Sequence, residues 1–248
     1  ATNVAETSLT IPGIVYVIDS GLARISRFNP GRQVQRLQVE QISQASARQR
    51  RGRCGRVREG VCLRLYDEFD LEQAPEFTDP EIRRSSLAGV VLRMKALRLG
   101  DVREFPFLDP PSPRAVSEGF RTLEEVGALE SRQGDLTEVG RQLARLPLDP
   151  RLGRMLLEAR ERKVLGEVLI VVAGLSVMDV RERPPEKESK ADEMHAAFED
   201  PESDFVSLLN IWHRLREFRK DHRRWHRNQL RRFCERNFFS MRRIMEWD

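Results

Sequence analysis

The stretch that most constrains this chain is Gly13-Ile14-Val15-Tyr16-Val17-Ile18-Asp19. A strand with one wet face alternates apolar and polar residues. This run is apolar almost without interruption and rich in β-branched side chains, which predicts a strand of a parallel sheet covered on both faces. It ends at Asp19-Ser20-Gly21, and the carboxyl ends of such strands are where α/β sheets place ligand-binding loops. A second strand is expected over Gly60–Tyr66. Two strands cannot bury each other, so residues 1–70 read as the second half of an α/β domain whose other strands lie outside this sequence. Between the two strands, residues 24–39 predict a protruding hairpin around Asn29-Pro30-Gly31, and Gln44 to Arg51 a short helix stopped by Gly52.

From Glu76 the pattern turns helical. Asp79-Pro80 supplies a cap and a first-turn proline for a helix carrying Leu87, Val90, Val91, Met94 and Leu97 as far as Gly100; Ser112-Pro113 repeats the device, with Val116, Phe120 and Leu123 on one face and Gly127 as the stop. The segments 128–131 and 136–137 then predict a small hairpin, and two helices followed by a hairpin outline a winged helix over 71–146. A short helix from Thr137-Glu138 leads to Asp149-Pro150, beyond which only helices are expected: 151–162, 164–178, 187–198, 203–221 and 226–246. Residues 147–248 thus read as an all-α bundle, with the acidic region from Glu182 to Asp204 as a connection over its surface. The fold class is multidomain and mainly α.

Charge narrows the function. Lys and Arg number 43 against 39 Asp and Glu, a small excess, but the signs are segregated: residues 48–58 hold six arginines, and the end from Arg214 to Arg243 interleaves Arg with Trp and Phe. Such segregation suits an anionic polymer, or a solvated basic face. The three cysteines, Cys54, Cys62 and Cys234, have no metal-ligand spacing and cannot form an even disulfide set, which fits a reducing compartment such as the cytoplasm. His222 and His226 stand four apart without a third ligand nearby, so no metal site is predicted. The longest apolar run, Val168 to Met178, is too short to span a bilayer and is expected to be a buried helix; no membrane association is predicted.

Chemistry concentrates in Gln49-Arg50-Arg51-Gly52-Arg53-Cys54-Gly55-Arg56. Guanidinium groups are planar, permanently charged forks that match phosphate oxygens two at a time, and glycine admits a ligand close to the backbone. On residue type alone, a phosphate site and a solvated basic face both stay open.

Two stretches carry a family resemblance. Thr2-Asn3-Val4-Ala5-Glu6-Thr7-Ser8-Leu9-Thr10-Ile11 resembles motif V of the DEAH-box helicases, and residues 49–56 resemble their motif VI, Q-R-x-G-R-x-G-R, in the same order and spacing. Phe107-Leu108-Asp109-Pro110-Pro111-Ser112 and Leu146-Pro147-Leu148-Asp149-Pro150-Arg151 resemble the family's winged-helix and helical-bundle landmarks, and the Arg-rich helical end is most similar to bacterial HrpA-like enzymes. The resemblance implies the end of a second RecA-like domain (1–70), a winged helix (71–146) and a ratchet-like bundle (147–248), all belonging to an ATP-dependent RNA helicase.

It also implies roles. Arg53 and Arg56 would be arginine fingers on the transferring phosphoryl group of ATP, and Gln49 would orient the attacking water or touch the γ-phosphate. Of Arg50 and Arg51, one would pair locally. Ser8 would sense the γ-phosphate and Asp19 would lie near the ribose, while Thr2, Asn3 and Thr7 would meet the RNA backbone. Capping of nearby backbone by Ser8 or Asp19 is the structural alternative. ATP with Mg²⁺ would be bound mainly by a first RecA-like domain, since no G-x-x-x-x-G-K-[ST] loop occurs in this sequence, and the fragment alone is expected to be inactive as an ATPase. The hairpin would touch the domains that follow. Arg214, Arg216, Arg219, Arg223, Arg224 and Arg227 would be backbone contacts to single-stranded RNA. Rival readings are a non-catalytic nucleic-acid-binding module, a platform that docks a regulatory protein through the bundle, and a DNA helicase.

Overall fold

The computed structural model describes residue 6 and residues 11–29, 34–55, 58–132, 134–221 and 227–248. The chain divides into two compact units, Ala1–Gly140 and Arg141–Asp248.

In the first unit, β1 (Tyr16–Asp19) is followed by β2 (Leu22–Asn29), β3 (Val34–Gln41), the helix α1 (Gln44–Arg51) and β4 (Val61–Arg64). β1 and β4 pair in parallel, Tyr16 opposite Val61 and Asp19 opposite Arg64. The apolar run predicts a buried strand, and here the structure differs. Tyr16 and Ile18 are 71% and 69% exposed, and Val61 and Leu63 are exposed beside them. Among the described residues the sheet holds these two strands alone, and the face that carries Tyr16, Ile18, Val61 and Leu63 is uncovered, while Val17 and Cys62 on the other face are half-buried. The predicted hairpin forms: β2 and β3 are antiparallel from Leu22 opposite Gln41 to Asn29 opposite Val34. Pro30 and Gly31 of its turn lie outside the described residues.

That register sets Arg27 opposite Arg36, a like-charge pair that would weaken the ladder. Arg27 turns to acids instead. Its Nε donates to Glu40 Oε1 at 2.5 Å, Nη2 to Glu40 Oε2 at 2.8 Å and Nη1 to Asp79 Oδ2 at 2.9 Å. Asp79 is therefore not the helix cap that its place before Pro80 suggests; Pro80 holds that position, with no side-chain cap bond. The single helix expected from there is two, α3 (Glu81–Arg84) and α4 (Ala88–Ala96), after the short α2 (Glu68–Gln73). Ser85 is extended, at φ −114° and ψ 163°, and separates them.

α4 packs on α5 (Pro113–Glu125). α5 starts as read from the sequence, with Ser112 Oγ accepting from Ala115 N–H at 3.2 Å, and it buries Val116, Phe120 and Leu123. Gly119 belongs to the contact, since a Cβ there would stand 3.2 Å from the Leu87 backbone. Gly127 stops the helix region at φ +71°. The small hairpin contracts to one antiparallel bridge, Leu129 with Leu136. Thr137 closes it by donating to the Gly127 carbonyl at 2.6 Å and accepting from Gly140 N–H at the start of α6 (Glu138–Ala144).

The second unit continues with α7 (Pro150–Glu161), α8 (Leu165–Ser176), α9 (Glu188–Ala196), α10 (Asp204–Asp221), α11 (Arg227–Asn237) and α12 (Met241–Trp247). Asp149 caps α7 through Arg151 N–H at 2.9 Å. α8 is less buried than its apolar run predicts: Val171 and Val172 are buried while Leu169 and Leu175 are exposed. The acidic segment after Glu182 is also more than a surface connection, because Ala191, His195 and Phe198 are buried. The last expected helix breaks at Phe238, whose φ of 53° is unusual for a residue with a Cβ. Phe239 N–H then closes on the Cys234 carbonyl at 2.9 Å and Ser240 N–H on that of Val180 at 2.8 Å. The core gathers Ile211, Leu215, Leu230, Phe233, Ile244 and Trp247. Among the described residues no helix is long and apolar enough to cross a membrane.

Candidate nucleotide and nucleic-acid site

α1 carries the start of the arginine run, and the local sequence explains where it starts and stops. Ser43 is extended, and its Oγ accepts from Ser46 N–H at 3.2 Å, the usual hydroxyl cap. Gln44 anchors the same end: Nε2 donates to the carbonyls of Glu72 and Ala74 at 3.1 and 2.9 Å. Arg48, Arg50 and Arg51 fill the last turn, where positive charge complements the helix dipole. Ala47 is fully buried and seats the helix. Past Gly52, Arg53 N–H bonds the Arg50 carbonyl at 3.0 Å and Cys54 N–H that of Arg51 at 3.3 Å, so the turn continues tightly. The thiol of Cys54 donates to the Arg51 carbonyl at 3.0 Å.

Gly60 fixes this turn against the strand that follows. A Cβ on it would fall 2.2 Å from the Cys54 carbonyl oxygen and 2.6 Å from that of Val15, distances no side chain tolerates. The next residue, Val61, donates to that Val15 carbonyl at 2.8 Å.

The structure separates the arginines by role. Arg48 and Arg51 are exposed and Arg53 is half-buried. Arg50 is drawn into the fold, its side chain 16% exposed, with Nε on Glu6 Oε1 and Nη1 on Asp19 Oδ1, each at 2.7 Å, and Nη2 on the Leu22 carbonyl at 3.1 Å. Arg50 is thus the member that pairs locally. Gln49, beside it, is exposed, and Gly55 has open space around it. Arg56, Thr2, Asn3, Thr7 and Ser8 lie outside the described residues.

Asp19 is buried, and its carboxylate is held by three groups. Oδ1 accepts from Arg50 and from Gly21 N–H at 3.1 Å, and Oδ2 from the Tyr66 hydroxyl at 2.9 Å. Burial pushes its carboxyl up, but the hydrogen bonds from Arg50, Gly21 and Tyr66 outweigh burial and hold it below the usual carboxylate range. Tyr66 shifts the other way. Burial, then the bond to the Asp19 carboxylate, raises its hydroxyl to about 12, so it stays a neutral donor. This is the turn-capping arrangement that residue type leaves open for Asp19. Neither Glu6, Tyr66 nor Gly60 stands out in the sequence as a site residue. Only a Glu before Thr7 and a Gly at the start of the second strand hinted at them.

In the second unit, Arg214 pairs with Glu217 at 3.3 Å and Arg219 with Asp248, which leaves Arg216 and Arg227 as the exposed arginines without a described partner among the six candidates; Arg223 and Arg224 lie outside the described residues. Among the described residues, no group of three His, Cys, Asp or Glu side chains is placed to hold a metal ion.

Two family models match parts of this chain. Residues 121–148 match the winged-helix part of the helicase-associated domain (HA2), and residues 149–240 match its ratchet-like part. The whole chain is 53% identical to a protein of Haemophilus influenzae named ATP-dependent RNA helicase HrpA homolog, and 51% identical to the ATP-dependent RNA helicase HrpA of Escherichia coli. It spans 19% of the length of each.

Proposed function

We propose, on the premise that this chain is a segment of an HrpA-type DEAH-box helicase sequence with its helicase-associated domains, that it supplies one wall of an ATP site and part of an RNA track. Likeness over the full chain to two proteins named as ATP-dependent RNA helicases carries the reading. The geometry of α1 supports it. The helix buries one arginine and leaves Gln49 exposed and Arg53 half-buried at its end, as residues that meet a ligand held elsewhere require.

In this reading residues 1–70 close a RecA-like domain, 71–146 form the winged helix and 147–248 the ratchet-like bundle. ATP, accompanied by Mg²⁺, is the substrate. Arg53 and Arg56 neutralise charge that builds on the transferring phosphoryl group, Gln49 orients the attacking water, and Ser8 faces the γ-phosphate. Asp19 serves the nucleotide side through Arg50. Thr2, Asn3 and Thr7 hold the backbone of single-stranded RNA, whose phosphates carry no sequence information, so movement along any sequence is possible. The unpaired cysteines support work in the cytoplasm. A regulatory protein docked on the bundle is a separate proposal, with the exposed arginines of α10 and α11 as its anchor.

The test is ATP turnover by a polypeptide that joins this segment to its P-loop domain. Arg53→Ala should lower RNA-stimulated kcat by roughly 10³-fold or more, with ATP affinity much less affected. The 248 residues alone should hydrolyse no ATP. Turnover by the segment alone that survives Arg53→Ala would overturn the assignment.

A further inference from the structure

The segment between α4 and α5 encloses, with the first turns of α5, a cavity of about 190 Å³. That is below the roughly 300–1,000 Å³ that surrounds a whole small molecule, so it has room for part of a ligand. Val102 and Val116, both buried, line it from the core; Phe107 is half-buried, and Arg103 and Phe105 are exposed, so the cavity opens to solvent. Its shape is set by the chain itself. Arg103 N–H donates to Asp101 Oδ1 at 2.8 Å, Glu104 N–H and Phe105 N–H both reach the Asp101 carbonyl at 3.1 Å, and Phe107 N–H closes on the Phe105 carbonyl at 2.8 Å. Farther along, Arg83 donates Nε to the Pro110 carbonyl at 3.3 Å and pairs with Asp109 at 3.4 Å. The rings of Phe105 and Phe107, with centroids 4.7 Å apart, are thus in place before a ligand arrives, which lowers the ordering cost of binding.

The chemistry of the lining selects the occupant. Arg103 lays its guanidinium over the Phe120 ring at 5.2 Å from the centroid. Among the described residues that guanidinium has no hydrogen-bond or ion-pair partner, so its N–H groups are available to a ligand. Aromatic rings and a guanidinium plane are what unstacked nucleobases pack against, and fork donors meet the acceptors on a base edge. A phosphate is disfavoured, because residues 101–109 set Asp101, Glu104 and Asp109 against Arg103 alone. An aliphatic side chain of a partner protein would fill the space but leave the N–H groups unused.

We propose, resting on the RNA-helicase reading above, that this cavity takes one nucleobase turned out of a single-stranded RNA, packed on Phe105 and Phe107 and hydrogen-bonded by Arg103. Contacts to the sugar–phosphate backbone hold paired and unpaired strands alike. A pocket for a base does not, since a base inside a duplex is stacked and paired and must leave both arrangements to enter. The cavity therefore gives the winged-helix region a preference for RNA that is already unpaired.

The experiment measures, by fluorescence anisotropy at several salt concentrations, the affinity of the joined polypeptide for a single-stranded oligouridylate and for an abasic strand of the same length. Phe105→Ala should weaken binding of oligouridylate by about five- to a hundredfold, the range of one lost base stack, and leave the abasic strand unaffected. The salt dependence should not change, because no phosphate contact is removed. Phe105→Tyr, which keeps the ring, should bind oligouridylate within about threefold of the unmodified protein, and Arg103→Gln should weaken it by about two- to tenfold. Unchanged affinity for oligouridylate in Phe105→Ala would overturn the proposal and leave the cavity to a protein side chain. Equal weakening on both strands would also overturn it, since the loss would then lie in the backbone track or in the fold. If the unmodified protein binds neither strand, the functional reading itself fails and this one fails with it.

Discussion

Trp247 lies across Gly174. Its indole Nε1–H donates to the Ile170 carbonyl at 2.9 Å, and its Cε2 and Cζ2 stand 3.0 Å from where a Cβ on Gly174 would be. The ring also meets Trp212 at 5.3 Å and is itself 4% exposed. One residue at the end of α12 thus holds α8 to the core of its unit. Trp247→Ala should destabilise that unit by about 3–5 kcal/mol, as emptied aromatic sites do. Trp247→Phe should cost less, since it retains most of the buried surface and loses the N–H bond. Urea unfolding followed by far-UV circular dichroism measures both, and equal losses for the two would show that the hydrogen bond, not the ring, is what matters.

Gly60 is a backbone requirement rather than a loop filler. Its two nearest neighbours are carbonyl oxygens, which cannot swing aside as a side chain would. Gly60→Ala should destabilise the first unit by about 1–3 kcal/mol and shift the turn that carries Arg53. Gly55→Ala, in open space on the same loop, should leave stability within about 0.5 kcal/mol. Urea midpoints of the two variants decide the matter; similar values would mean that the loop gives way at no cost.

The Asp19 carboxyl is held below its usual value of 3.8 by its hydrogen bonds. A group lowered in the folded state adds stability that is complete above the unfolded value and is lost as pH falls through the folded one. The first unit should therefore lose stability progressively as the medium is acidified below 3.8. Asp19→Asn should flatten that part of the curve. Tyr66→Phe removes the donor to Oδ2, at a cost of about 1–3 kcal/mol at neutral pH, and should move acid loss upward in pH. Urea melts at a series of acid pH values provide the measurement. An unchanged acid limb in Asp19→Asn would place the titration elsewhere.

The elements legible in the sequence are those set by residues close to one another. The bounds of α1 follow from Ser43 and Gly52, and the start of α5 from Ser112-Pro113; cap and helix are within four residues. What sequence reasoning missed depends on distant partners. Nothing near Arg50 announces Glu6 or Asp19, 44 and 31 residues away, and nothing near Asp79 announces Arg27, 52 residues back, whose claim on the carboxylate outweighed the cap position. Phe238 ends a helix at positive φ without the glycine that normally signals it. The run through β1 is legible as a strand, but its burial depends on neighbours that two strands cannot supply. The candidate site is legible as a family motif and as a phosphate-suited cluster, yet what turns Arg50 inward while Arg48 and Arg51 stay exposed is Glu6 and Asp19, far from it in sequence.

The brace at Arg27 also has a mechanical meaning. Asp79 grips β2 at Arg27, and Arg84 grips it one residue earlier at the Ser26 carbonyl. Of the eight ladder pairs, only Phe28 with Gln35 and Asn29 with Val34 lie beyond that grip, toward the tip. The hairpin is therefore a short cantilever with its fulcrum at Arg27, not a long arm hinged at its base. Load on its tip would be delivered to the Asp79–Arg84 segment, just ahead of α4, rather than spent in bending the strands.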